Sequence, residues 1–163
     1  MAFICRKKMN TTAKFTSKHA PWISTVFFAL AFYTVGAGLM DSFAMYHSWR
    51  FVGESEFGLM HQEAGGRIIK FYVMPALLMT VFLVLQFWHR PSAVPSKLVW
   101  IALACTMIVW ISSIFIQIPI QFRLDNGRDE ALLDWLIVSD WIRVIPILIL
   151  AGIVLTMIKR TIS

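Results

Sequence analysis

Residues 21–40 read PWISTVFFALAFYTVGAGLM, twenty positions without a charged side chain. At about 1.5 Å of rise per residue, a helix of this length crosses roughly 30 Å of hydrocarbon. A secretory signal has a shorter apolar core followed by a small-residue cleavage site. Val35-Gly36-Ala37-Gly38 has the small residues, but the length of the run favours a retained first span over a cleaved leader. Residues 1–20 ahead of it form a polar tail carrying Arg6, Lys7, Lys8, Lys14 and Lys18.

Three more segments of the same kind follow. Spans are expected over about 21–44, 68–88, 98–120 and 138–158. The prolines of the 89–97 turn stop one helix and start the next, while Pro75 and Pro119 fall within spans, where membrane helices tolerate them. Asp125-Asn126-Gly127 is a turn signal. After it, Leu132, Leu133, Leu136 and Ile137 repeat at helical spacing with Asp129, Glu130, Asp134 and Asp140 between them, an amphipathic lead into the fourth span. The chain is 58% hydrophobic and only 15% charged, with a mean hydropathy of +0.70. Soluble domains carry about 25% charged residues. The expected fold is all-α: an integral membrane four-helix bundle in one domain, 21–163, behind the 1–20 tail.

The net charge of +6 does not point to nucleic acid, because the basic residues flank apolar segments and do not line one groove. Segments 1–20, 89–97 and 159–163 carry five, two and two basic residues and no acidic ones. Segments 41–70 and 121–143 carry the other six basic residues and all nine acidic ones. The positive-inside rule then puts both termini in the cytoplasm and both polar segments on the outer face. Cys5 and Cys105 are far apart in sequence and form no CxxC or zinc spacing. Motifs for covalent haem attachment, nucleotide loops, nucleophile elbows and zincins are absent as well. No metal site is expected and the sequence requires no cofactor. A bis-histidine haem between His47 and His61 stays open in principle, although neither lies inside an apolar span.

The polar stretch 41–67, DSFAMYHSWRFVGESEFGLMHQEAGGR, concentrates the chemistry. His47 and His61 lie on it, and His61, just ahead of the second span, can turn into the bundle mouth as an acid or base. Asp140 and Arg143, three apart, have the spacing of an intrahelical ion pair at membrane depth, where ionisable groups usually face an interior or cavity. Gln117 and Gln121 share one face of the third span, either as interhelical hydrogen-bonding groups or as a polar lining. Asp41, at the end of the first span, completes the same mouth. The expected site is composite. His61, Asp140 and Arg143 are its catalytic residues, and His47, Arg67, Gln117, Gln121 and Trp141 contact the substrate. Most of the seven tryptophans lie near span ends, as an interfacial belt requires.

Four spans, a polar first outer loop, the IPIQFRL run at 118–124 and DEALLDWLIVSDWIRVIPILILAGIVL at 129–155 resemble small bacterial membrane proteins related to the anthrone-oxygenase-like family. Pro119, Leu124, Trp135, Trp141 and Arg143 match its short motifs, with Asp140 near the usual asparagine. The resemblance implies a four-helix membrane bundle in a bacterial inner membrane. For a few members it implies cofactor-independent oxygenation of polyketide anthrones. The leading expectation is an oxygenase- or oxidoreductase-like enzyme acting on an apolar, lipid-soluble molecule at the outer leaflet. The alternatives are an accessory subunit of a larger membrane complex and a small homo-oligomeric transporter. Transport is disfavoured because no ionisable residue lies mid-span. The expected partners are the lipid bilayer, and either an apolar small molecule or a larger complex, with a homo-oligomer possible.

Overall fold

The computed structural model describes residues 20–162, so the basic tail and Cys5 lie outside the described residues. Four long helices follow one another: α1 (Pro21–Phe51), α2 (Glu54–His89), α3 (Ser96–Leu124) and α4 (Glu130–Ile162). All four are long and apolar enough to span a membrane, and the described residues contain no strand. The chain is an integral membrane protein with a four-helix bundle. Each helix packs on its sequence neighbour, and α4 closes the ring against α1. The end carrying the 52–53 and 125–129 connections is the mouth of the bundle.

The helices run well past the apolar spans. The polar stretch 41–67 is not an open loop but helix on both sides of a turn at Val52 and Gly53. At the other connections, extended Pro95 starts α3, and Gly127 takes a φ of +139°, which glycine adopts without a Cβ clash. The Asp129 carboxylate accepts the Leu132 N–H at 3.1 Å and caps the start of α4. A single turn residue, Asp140, separates the two segments of α4, Glu130–Ser139 and Trp141–Ile162.

Three of the helices contain a wider π-helical turn on the mouth side: Asp41–Met45, Ile69–Val73 and Ser113–Gln117. Such bulges shift the helical phase and are frequent at functional sites. Two of them lead directly into a proline-bearing turn. Pro75 has no N–H for the Phe71 carbonyl, and the Tyr33 hydroxyl of α1 supplies a donor at 2.7 Å.

Lipid replaces water as the surroundings, so large apolar side chains such as Leu78, Val81, Ile108, Phe115, Ile145 and Leu155 point outward. Inside are two separate apolar cores. One, away from the mouth, joins Phe27, Met79, Leu83, Val99, Ala102, Leu150 and Val154. The other, at the mouth, joins Tyr46, Trp49, Phe57, Ile120, Leu124, Leu133 and Leu136. Helices α2 and α3 pack together in their halves away from the mouth, draw apart between Gly65 and Ala76, and meet again where His61 contacts Gln121. A cavity occupies the resulting gap.

Gly38 sets how closely α1 approaches its neighbours. A Cβ there would lie 3.0 Å from the Tyr72 hydroxyl and 3.1 Å from Ile147 Cδ1, closer than side chains normally pack. Gly38→Val is therefore expected to destabilise the bundle by about 1–3 kcal/mol through overpacking, read as a lower unfolding midpoint in detergent.

Candidate functional site

The cavity encloses about 430 Å³ between α2 and α3, with walls from all four helices. That volume is in the range of small-molecule sites. Its body is apolar, made by Ile68, Ile69, Val73, Ala76, Val109, Trp110, Ile118, Ile147 and Leu150 among others. Polar groups gather at the mouth end: Asp41 and Tyr46 from α1, His61 and Tyr72 from α2, Gln117 and Gln121 from α3, and Arg143 from α4.

Arg143 is the hub. Its side chain is 6% exposed, and its Nε and Nη2 each lie 2.5 Å from Asp140 Oδ1. Nη2 also donates to the Tyr46 hydroxyl at 2.7 Å and reaches Asp41 Oδ2 at 3.5 Å. The guanidinium carbon sits 5.7 Å from the Tyr46 ring centre. A buried cation in a membrane bundle needs such partners, because desolvation without them costs several kcal/mol.

His61 forms the second centre, and it is just as buried. Its Nδ1 lies 2.6 Å from Asp125 Oδ1 and its Nε2 lies 2.7 Å from Gln121 Oε1. Trp49 meets the ring edge-on at 4.7 Å and Phe57 stacks on it at 5.5 Å, so the imidazole is held from the sides as well. Whatever its tautomer, one nitrogen faces a carboxylate and the other faces the interior, so a proton can arrive at one and leave from the other. Gln121 Nε2 donates to the Tyr46 hydroxyl at 3.4 Å. A chain of polar contacts therefore runs from Asp125 through His61, Gln121 and Tyr46 to Arg143.

Two atoms next to the cavity have no hydrogen-bond partner among the described residues, although they are buried: Asp41 Oδ1 and Gln117 Nε2. The Gln117 amide oxygen is already bonded to Ser112 Oγ at 2.9 Å. Buried polar atoms left unpaired are costly, and in a cavity wall they mark positions for a ligand.

The site residues expected from sequence fall into two groups. His61, Gln117, Gln121 and Arg143 line one cavity, and Asp140 stands behind it on Arg143. His47, Arg67 and Trp141 do not line it. His47 is exposed, Arg67 projects outward with Glu63 4.0 Å away, and Trp141 packs on Phe43 at the exterior. Both ring nitrogens of His61 are engaged, so neither is open to a haem iron in this arrangement. Among the described residues no group of three or more His, Cys, Asp or Glu is placed to hold a metal ion. Sequence reasoning read Asp125 only as part of a turn and did not single out Tyr46, yet these two tie the centres together. No family model, curated protein or solved structure matches the chain.

Proposed function

We propose that this protein is a small membrane enzyme of the oxygenase or oxidoreductase type, acting on an apolar, lipid-soluble molecule. The carrying observation is the composite cavity. An apolar body of about 430 Å³, walled by membrane helices, ends in a buried acid/base residue and a buried cation. Lipid-soluble molecules meet such a cavity from the bilayer, and the separation of α2 from α3 gives them a side to enter by. Once the Gln121 amide turns aside from Nε2, His61 takes a proton there from an acidic carbon of the substrate, with Asp125 orienting the ring through Nδ1. The electron pair left behind spreads onto a substrate oxygen that faces Arg143 and the Tyr46 hydroxyl, which stabilise the developing charge. Dioxygen as the oxidant follows from the resemblance to the anthrone-oxygenase-like family. The same resemblance, with the charge count across the spans, supports a bacterial inner membrane, cytoplasmic termini and a site at the outer leaflet.

The test is oxygen uptake by the purified protein in nanodiscs supplied with an anthrone. Turnover is expected, and His61→Ala is expected to lower kcat by about 10²–10⁴-fold, the usual contribution of a general acid or base. Full activity in both His61→Ala and Arg143→Ala would overturn the assignment. Absence of turnover, together with stoichiometric co-purification of a larger complex, would establish the accessory role instead.

A further inference from the structure

The buried cluster is short of one positive charge. Asp41, Asp140 and Arg143 are each at most 6% exposed, and Arg143 is the only cation paired with either carboxylate among the described residues. The other groups facing Asp41 are the hydroxyls of Tyr46 on its own helix and Tyr72 on α2, which are neutral. The charged neighbourhood of His61 and Asp125 is a separate pair, joined to the cluster only through Gln121 and Tyr46. An uncompensated carboxylate inside a membrane bundle binds a proton in preference to remaining ionised.

The distances select which carboxylate it is. Asp140 Oδ1 receives two guanidinium nitrogens at 2.5 Å, while Asp41 reaches Arg143 at 3.5 Å. Each carboxylate keeps one unpartnered oxygen, Asp41 Oδ1 and Asp140 Oδ2, but only the one on Asp41 stands in the cavity wall. We infer that Asp41 holds a proton in the ligand-free protein and presents it to an oxygen of the molecule in the cavity. Its catalytic use rests on the function proposed above. As His61 takes the proton from carbon, the substrate oxygen gains charge and takes the proton of Asp41. The imidazole becomes positive beside Asp125, and Asp41 becomes a carboxylate beside Arg143. The net charge of the site is unchanged, which a low-dielectric interior favours. Asp41 is then the general acid and His61 the general base.

Infrared spectroscopy of the purified protein at neutral pH tests this without substrate, because a protonated carboxyl has a carbonyl band distinct from that of a carboxylate. The difference spectrum between the wild type and Asp41→Asn is expected to contain one such band, sensitive to D2O. The band should shift in Asp41→Glu and stay in place in Asp140→Glu. Charge counting further requires that Asp140→Asn also lose it, since one carboxylate then remains for one guanidinium. No acid band, or a band that follows Asp140→Glu instead, overturns the inference whether or not the enzyme turns over. A band on Asp41 in a protein without turnover supports the bound proton and overturns only its catalytic use.

Discussion

Replacing Arg143 by leucine is expected to cost about 3–5 kcal/mol of unfolding free energy, the range for removing one partner of a buried ion pair. The loss has three sources. Asp140 loses both contacts at 2.5 Å and with them its counter-charge, Asp41 loses its contact at 3.5 Å, and the Tyr46 hydroxyl loses its 2.7 Å donor. Leucine cannot hydrogen-bond to any of the three, and the bilayer offers no water to replace it. Arg143→Leu combined with Asp140→Asn should recover part of the loss, because it leaves fewer charges unpaired. The contrasting case is Arg50 with Asp134, a pair 40% and 64% exposed in its side chains. Removing Arg50 should cost no more than about 1 kcal/mol, since exposed pairs are screened and mobile. Equilibrium unfolding in mixed micelles, followed by tryptophan fluorescence, measures both. A loss below about 1 kcal/mol for Arg143→Leu would mean that the cluster does not hold the bundle together.

The spans were legible in the sequence because each is dominated by an apolar run near membrane length, with Lys70, Asp140 and Arg143 close to span ends, a signal that no packing detail can mask. The polar helices beyond them were not. Residues 41–51 and 54–67 carry enough charge to read as a connector, yet α1 and α2 continue through them, because Trp49 and Phe57 bury against Leu124, Leu133 and Leu136 at the mouth. Within the site, the Asp140–Arg143 contact was readable because a spacing of three places both on one side of a helix. The same geometry explains why Arg67 and Trp141 fall outside. Gln62, Gly65, Gly66, Ile69 and Val73 define the cavity face of α2, and Arg67 points away from it. Trp141 is two residues from Arg143, about 200° around the helix. Nearness in sequence to a buried group is therefore a poor guide to which side a neighbour faces. Asp125 was hidden for another reason. It sits in an Asp-Asn-Gly turn, which accounts for an aspartate locally, and its contact with His61 spans 64 positions that no local pattern encodes.

Gly65→Phe is expected to weaken binding of a lipid-soluble ligand about 30–150-fold while leaving the fold intact. Gly65 lines the cavity, and a Cβ built on it meets nothing within 4 Å, so the new ring has room to enter without displacing protein atoms. Stability should hold or rise slightly, because glycine in a helix interior is less favourable than other residues by up to about 1 kcal/mol. The ring takes space that the apolar body of the ligand would fill. Losing contacts worth about 2–3 kcal/mol, the value of one large apolar group, corresponds to the stated weakening. Gly36→Phe is the matched control. That glycine is also free of neighbours within 4 Å, but it is exposed and lies outside the cavity wall, so its replacement should leave binding unchanged. Titration of an anthrone into nanodisc-embedded protein, read by quenching of tryptophan fluorescence, gives the comparison, with Trp110 in the cavity wall as the local reporter. Equal affinities for the wild type and Gly65→Phe would place the ligand somewhere other than between α2 and α3. The roles given to His61, Asp41 and Arg143 would then have no substrate to act on.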